Sequence, residues 1–264
     1  MASAFELFRL AELEQTEAII REAVGTGARV LEIGSGTGWQ ARALSERGFD
    51  VVGVDLPPSS EISNHARARV WPIIDYDGEH LPFDDASFDV VYSSNVLEHV
   101  TKLDALNAEM RRVLRPSGVA VHLLPNPQWR FISLLSYYPG QAIDLLRVLR
   151  RRLLGPQAEP AAILSDAQTS VPVAPRSLGS KIRARLLPPT HGAVGTPLTE
   201  LSRYSMRQWD RYFTGTGWTI AHYGNNGMLA SGDYLLGRAL PPALRKALGK
   251  AIGGIAHIYV LRRA

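Results

Sequence analysis

The chain has 264 residues and a mass of 29.0 kDa, with 45% hydrophobic and 20% charged side chains. That is enough apolar material to bury the core of one large domain, or of one domain plus a lobe, and it excludes a disordered or fibrous chain. The absence of cysteine excludes disulfides, thiolate metal sites and a cysteine nucleophile, and the net charge of +4 conceals two unlike parts: residues 1–126 carry 11 basic and 19 acidic side chains (−8), residues 127–264 carry 18 and 6 (+12). Such a split predicts an acidic domain joined to a basic part, the latter either meeting an anionic partner or presenting a solvated face.

In chain order, Phe5, Phe8, Ile19, Ile20 and Val24 alternate with Glu6, Glu12, Glu14, Glu17 and Arg21, which predicts a leading amphipathic helix from Phe5 to Val24. The period then changes. Arg29 to Ile33 reads as a buried strand, followed by Gly34-Ser-Gly-Thr-Gly38, a helix from Gln40 to Arg47 and a strand from Asp50 to Val54 that ends at Asp55; the whole is a βαβ unit. Further strands are expected at Arg69 to Ile73, Phe88 to Ser93 and Val119 to Leu124, with a helix from Leu103 to Leu114 closed by Arg115-Pro-Ser-Gly118. Alternating strands and helices predict an α/β fold, a mainly parallel sheet with helices on both faces.

After Pro125 the pattern loosens. Residues 126–203 contain Pro156, Pro160, Pro172, Pro175, Pro188 and Pro189 with basic residues between them, and are expected to form an insertion or lid, partly mobile. Regular structure should return with Ser205 as an N-cap, a helix to about Phe213, a strand from Trp218 to Tyr223 and a last strand from Ile255 to Leu261. The expected units are therefore 1–125, the insertion 126–203, and 204–264 with a second insertion at 224–254. The start of the chain lacks the basic and then apolar pattern of a signal peptide, and no run reaches the roughly 18 apolar residues of a spanning helix. A cytoplasmic protein is expected, peripheral at most to the inner face of a membrane.

A glycine loop after the first strand lets backbone approach a ligand, and an acid ending the second strand can hold ribose hydroxyls. The loop here is GxGxG, at Gly34, Gly36 and Gly38, rather than the dinucleotide pattern GxGxxG, and no hydride chemistry is visible downstream. Val30-Leu-Glu-Ile-Gly-Ser-Gly-Thr-Gly38, Val51-Val-Gly-Val-Asp-Leu56, Asp77-Gly-Glu-His-Leu-Pro-Phe83, Ser87-Phe-Asp-Val-Val91, Val96-Leu-Glu-His-Val100 and Arg112-Val-Leu-Arg-Pro-Ser-Gly118 follow in order. Together they closely resemble the class I S-adenosylmethionine-dependent methyltransferases, of the small-molecule type 11 kind, over roughly residues 20–125.

The resemblance implies a Rossmann-like sheet of seven strands, mainly parallel with an antiparallel last strand, and S-adenosyl-L-methionine as cofactor, leaving as S-adenosyl-L-homocysteine. It implies that Gly34, Gly36 and Gly38 shape the loop beside the methionine part, with Glu32 behind it near the amino group. Asp55 would bind both ribose hydroxyls, Asp77 would accept from the adenine amino group, and Gly78 would offer its amide to the ring. Ser94 and Asn95 would line the methionine end. For Asp77 and Asn95, plain turn and cap chemistry is the alternative.

A sulfonium carries its own leaving group, so alignment of the acceptor is the main task, and an alcohol acceptor gains from a histidine base. His99, just past the fourth strand, and His191, in Pro188-Pro-Thr-His-Gly192, are the two candidates, although His99 is also a scaffold position of the resemblance. His122 and His222 lie inside strands and are expected to be satisfied core residues. Methylation of base amines would want an Asn/Asp-Pro-Pro-aromatic motif after the fourth strand, where the chain reads Ser93-Ser-Asn-Val96, and Asn126-Pro-Gln-Trp129 comes one strand late and reads as a turn. Cytosine C5 chemistry lacks its cysteine. No metal site is expected, since Asp84 and Asp85 read as the solvated end of a turn. The expected reaction is methyl transfer to a hydroxyl or amine of a small-molecule acceptor: a sugar, a lipid-linked saccharide or a natural-product intermediate. RNA or protein acceptors, suggested by the pI of about 9.5, and a cofactor-binding regulatory or scaffolding protein without turnover are the alternatives.

Two basic stretches bear on the partner. Leu145, Leu146, Leu149 and Leu153 share a helix side away from Arg147, Arg150 and Arg151, and Ala243, Leu244, Ala247, Leu248, Ala251 and Ile252 oppose Arg245, Lys246 and Lys250. Both suit a lid helix packed on its own domain, then an anionic membrane surface, and last nucleic acid. Trp129, Tyr137 and Tyr138 add to the membrane side. Oligomeric state is not encoded in these patterns.

Overall fold

A computed structural model describes residues 4–57, 69–154, 188, 190–229 and 242–264. Helix α1 (Ala4–Val24) precedes β1 (Arg29–Ile33), α2 (Trp39–Glu46), β2 (Asp50–Asp55), β3 (Ile73–Asp75) and β4 (Phe88–Ser94). A single 3-10 turn (Leu97–His99), α3 (Leu103–Val113), β5 (Leu114–Pro125) and α4 (Pro127–Leu154) come next. The chain closes with α5 (Thr199–Arg203), α6 (Met206–Gly215), β6 (Trp218–Asn225), α7 (Pro242–Ile252) and β7 (Ala256–Arg263).

The strands form one seven-stranded sheet in the order β3-β2-β1-β4-β5-β7-β6. β1 to β5 run parallel, and β7 enters antiparallel to both neighbours, β5 and β6. Each central strand is apolar on both faces, as a sheet covered on both sides requires. Leu31 and Ile33 of β1 join Leu106 and Met110 of α3 and Phe213 of α6 in one core. Val30, one residue out of phase, joins Leu13 and Ile20 of α1 and Ala41 and Leu44 of α2 in the other. Reversal of strand order at β1 and β4 creates a crevice at their carboxyl ends, where open α/β sheets bind ligands.

Several expectations are corrected. The third strand occupies Ile73–Asp75 rather than 69–73, because Pro72 has no N–H for the ladder and Val70 N is already used on Thr37 O. Within the expected loose segment, the 28 residues Pro127–Leu154 are the helix α4. Asn126-Pro-Gln-Trp129 is its start, not an isolated turn: Asn126 Oδ1 accepts from Trp129 N at 2.9 Å and its amide donates to Gly254 O at 3.2 Å, with Pro127 at the position where a missing N–H costs nothing. Residues 155–187, the rest of that expected lid apart from its end, and 230–241 of the second insertion lie outside the described residues. Ser205 adopts the N-cap conformation of α6, but its side chain makes no cap bond. His222 is exposed on the sheet's edge strand instead of buried. His122 is buried, with Nδ1 paired to Ser93 Oγ at 2.8 Å and Nε2 without a partner, and burial pushes it down to about 3.

Helix α7 also turns the other way. Leu244 and Leu248 of its apolar stripe are 45% and 36% exposed, whereas Arg245 is buried. Gly249, one turn on, explains this: a Cβ there would stand 2.4 Å from Gly227 O, so the Arg245 and Gly249 face packs on residues 227–229, with Leu229 N donating to Arg245 O at 3.1 Å.

Candidate active site at the carboxyl edge of the sheet

The β1–α2 loop is built for close approach. Gly34, Gly36 and Gly38 all have positive φ, at 71°, 58° and 81°. A Cβ on Gly34 would lie 2.5 Å from Val96 Cγ2, whereas a Cβ on Gly36 would meet nothing within 4 Å among the described residues. Gly34 therefore seats the loop against the segment after β4, and Gly36 faces open space. Gly34→Ala combines a disfavoured backbone with a steric clash and should cost about 2 kcal/mol or more of stability, read by denaturant unfolding.

Asp55, at the end of β2, holds the loop from the other side. Its carboxylate accepts from Gly36 N and, at 2.7 Å, from Leu56 N, while Gly34 N and Ser35 N donate to Val54 O. The adjacent strands thus place the loop, the acid and the open face of Gly36 together. Behind the loop, Glu32 is 2% exposed, and among the described residues its Oε2 has no hydrogen-bond partner. Its neighbours are Arg9 of α1, Ser35, Asp55 and Tyr92. Arg9 is itself turned to Glu12 at 2.9 Å and Gln40 at 3.3 Å, and Gln40 donates to Tyr92 Oη at 3.0 Å. Burial dominates these contacts and raises the Glu32 carboxyl to about 8, so it is neutral near pH 7 until a cation arrives.

Asp77 is engaged elsewhere. Its carboxylate accepts from Glu79 N and His80 N and pairs with His80 Nδ1, each at 2.7 Å, contacts that hold it well below the usual carboxyl range. These are the contacts of a turn, and Gly78, with φ 87°, shapes the same turn. Asp85 pairs with Arg112 at 2.8 Å and, like Asp84, is exposed, as a solvated turn end should be. Ser94 ends β4, buried, and Asn95 follows with φ 55° and its backbone N–H donating to Leu123 O at 2.9 Å.

The 3-10 turn then brings the two histidine candidates together. The rings of His99 and His191 lie 4.7 Å apart edge to face, and Trp129 of α4 lies 4.4 Å from His191. Segment 191–193 is clamped from both sides: His191 N and Gly192 N donate to Glu200 Oε1 at 2.7 and 2.8 Å, and Ala193 N donates to Glu98 O at 3.0 Å. Glu200 in turn pairs with Arg130 at 2.7 Å, both buried. Burial lowers both imidazoles below the ordinary histidine range, His191 to about 4. Both are neutral at pH 7, with nitrogen lone pairs available. Glu98, Arg130 and Glu200 were not singled out from sequence, and Trp129 was named as an aromatic suited to a membrane interface rather than as a site residue. A charged residue inside the turn Leu97-Glu-His99 was the one available signal, whereas the Arg130–Glu200 pair spans 70 positions and leaves no local pattern.

Residues 31–122 match the family described as a methyltransferase domain. An uncharacterized methyltransferase of Mycobacterium sp. (strain JLS) is 42% identical over 95 residues, 36% of this chain and 38% of that protein. One from Mycobacterium marinum is 38% identical over 130 residues, 47% of this chain and 51% of that protein. The chain thus spans about two-fifths to half the length of these curated relatives. Among solved structures, an S-adenosylmethionine-dependent methyltransferase from Mesorhizobium loti aligns over 96% of this chain and 98% of its own, at 18% identity and a TM-score of 0.50, a likeness of fold. With the ordered motifs, the strand order and the glycine loop facing Asp55, these matches show that residues 31–122 are similar to the methyltransferase domain family and that the chain has the Rossmann-like fold of the solved methyltransferases.

Proposed function

We propose that the protein transfers a methyl group from S-adenosyl-L-methionine to a hydroxyl or amine of a small metabolite. What carries this reading is one continuous edge: the open face at Gly36, flanked by Asp55 and backed by the unpartnered Glu32 oxygen, adjoins the turn that bears His99. The residues fit the cofactor. Glu32 would meet the ammonium of its methionine part, Gly36 would line the approach, and Asp55 would take the ribose hydroxyls. Ser94 and Asn95 would flank the methionine end, with Asp77 and Gly78 toward the base. The bound cofactor supplies the activated methyl on a sulfonium, and the protein has to align an acceptor with it and exclude water.

His99 and His191 stand on the acceptor side in this reading. Neutral imidazoles can take a proton from an acceptor hydroxyl or orient it. Trp129 gives that side an apolar wall, suited to a sugar or a natural-product ring. The exposed Leu244 and Leu248 of α7, beside the exposed Lys246 and Lys250, favour a lipid-linked saccharide as a second reading of the acceptor, delivered at an anionic membrane surface. No helix among the described residues is long and apolar enough to cross a membrane.

The test is to incubate the purified protein with methyl-labelled cofactor and host-cell extract, then partition the label. Label in a small aqueous product supports a soluble acceptor, and label in the organic phase supports the lipid-linked one. Label confined to macromolecular RNA or protein would contradict the small-metabolite reading. Cofactor binding without transfer to any extract component would favour a regulatory or scaffolding protein.

A further inference from the structure

The turn after β4 holds an arrangement that the methyl-transfer reading leaves unexplained. The Glu98 side chain is fully buried (0% exposed), and among the described residues neither carboxylate oxygen has a hydrogen-bond partner. A buried acid in that condition carries an uncompensated desolvation cost. Two imidazole nitrogens face it: His99 Nε2 lies 3.7 Å and His191 Nε2 3.6 Å from the same oxygen, Oε1. Both distances are too long for hydrogen bonds, yet one donor atom from each of the three side chains falls within 4.8 Å of the others.

We propose that Glu98, His99 and His191 form a site for one divalent transition-metal cation, with coordination positions left open toward the cofactor edge for oxygen atoms of the acceptor. Metal–ligand bonds of about 2.0–2.2 Å set neighbouring donor atoms roughly 3–3.6 Å apart. The His191 separation from Oε1 is at the upper end of that range, and the His99 separation is 0.1 Å beyond it. The widest separation closes by about 1 Å through rotation of His99, whose side chain is 32% exposed.

The frame is rigid where a metal site needs it. Consecutive residues on the 3-10 turn supply two ligands, and the third is fixed by the bonds of its own and the next amide to Glu200, by Trp129 and by the Arg130–Glu200 pair. Two imidazoles and one carboxylate suit Zn²⁺, Fe²⁺, Co²⁺ or Mn²⁺ rather than Ca²⁺ or Mg²⁺, and three protein ligands leave room for others. The acceptor class that follows, an oxygen donor such as a hydroxyl beside a second hydroxyl or a carbonyl, rests on the proposed methyl transfer; cation binding itself does not.

The closing experiment reads the cation directly. Untagged, metal-stripped full-length protein is titrated with Co²⁺ and followed by its visible d–d absorption, with Zn²⁺ competition and thermal unfolding alongside. One Co²⁺ per chain should bind, Zn²⁺ should displace it and raise the melting temperature, and Mg²⁺ should do neither. Glu98→Gln, His191→Ala and His99→Ala should each lose the band or weaken binding at least tenfold. His99→Ala, at a partly exposed position, serves if the buried variants fail to fold. Absence of a band in the wild type, or equal Co²⁺ affinity in folded His99→Ala, would overturn the proposal. Cofactor affinity, measured separately by calorimetry on the same samples, shows whether the methyltransferase reading stands or falls independently.

Discussion

Glu200→Ala should destabilise the protein by about 3–5 kcal/mol, the usual consequence of leaving one member of a buried ion pair without its partner. Arg130 is 4% exposed, and the carboxylate it would lose also holds the amides of His191 and Gly192. Denaturant unfolding would measure the loss. A paired change, Arg130→Met with Glu200→Gln, should recover most of it, because the amide oxygen still accepts from both backbone groups and no bare charge remains. Glu200→Ala should also weaken the seating of His191 beside His99 while leaving cofactor affinity within about twofold, since its contacts lie on the acceptor side. Unchanged stability in Glu200→Ala would show that the clamp holds nothing.

The second large effect is a pH dependence centred on Glu32. Below its ordinary value of 4.5 the carboxyl is neutral in folded and unfolded chains alike, and its burial costs nothing electrostatically. Above that value the unfolded chain ionises while the folded one does not, until the folded value of about 8. Stability of the cofactor-free protein should therefore fall as pH rises through this window, by roughly 3–5 kcal/mol in total. Arg9 and Ser35 oppose the rise, and Asp55 adds to it. Glu32→Gln should flatten the profile between pH 5 and 8 and stabilise the free protein at pH 7.5. An ammonium brought in by the cofactor favours the ionised carboxylate, so binding at pH 7 should release close to one proton. Calorimetry in buffers of different ionisation heat reads that number directly, and Glu32→Gln should abolish the release while weakening binding about tenfold or more.

The first 125 residues were legible because their signals are local. Val30 to Ile33 and Val51 to Val54 are short apolar runs ending in a glycine loop and an acid, and the register that sets them side by side follows from parallel pairing of β1 with β2. What escaped sequence reading depended on contacts across the fold. The segment after Pro125 read as loose, yet α4 runs from Pro127 to Leu154, with Pro139 inside it. The stripe on α7 matched helical spacing, but the space available at Gly249, not the apolar count, decided which face turned inward. His222 shares the parity of the inward Trp218 and Ile220, but the pairing with β7 shifts register between Ile220 and His222, and on this edge strand it is left exposed. For the site, the glycines and Asp55 stood in a readable order, whereas the approach of His191 to His99 and Glu98 is made by a clamp between α4 and α5. For Asp77, the turn contacts that the sequence offered as an alternative are present: its carboxylate accepts from Glu79 N and His80 N around Gly78.

The most direct measurement is a calorimetric titration of S-adenosyl-L-homocysteine into the wild type and into Asp55→Ala, each checked for folding by circular dichroism. The wild type should bind one equivalent per chain. Loss of the charged hydrogen bonds to ribose, and of the anchor on Gly36 N, should weaken binding in Asp55→Ala by about 1–3 kcal/mol, or roughly 5- to 150-fold. A wild type that does not bind, or a folded Asp55→Ala that binds as tightly, would contradict the placement of the cofactor between the glycine loop and the end of β2.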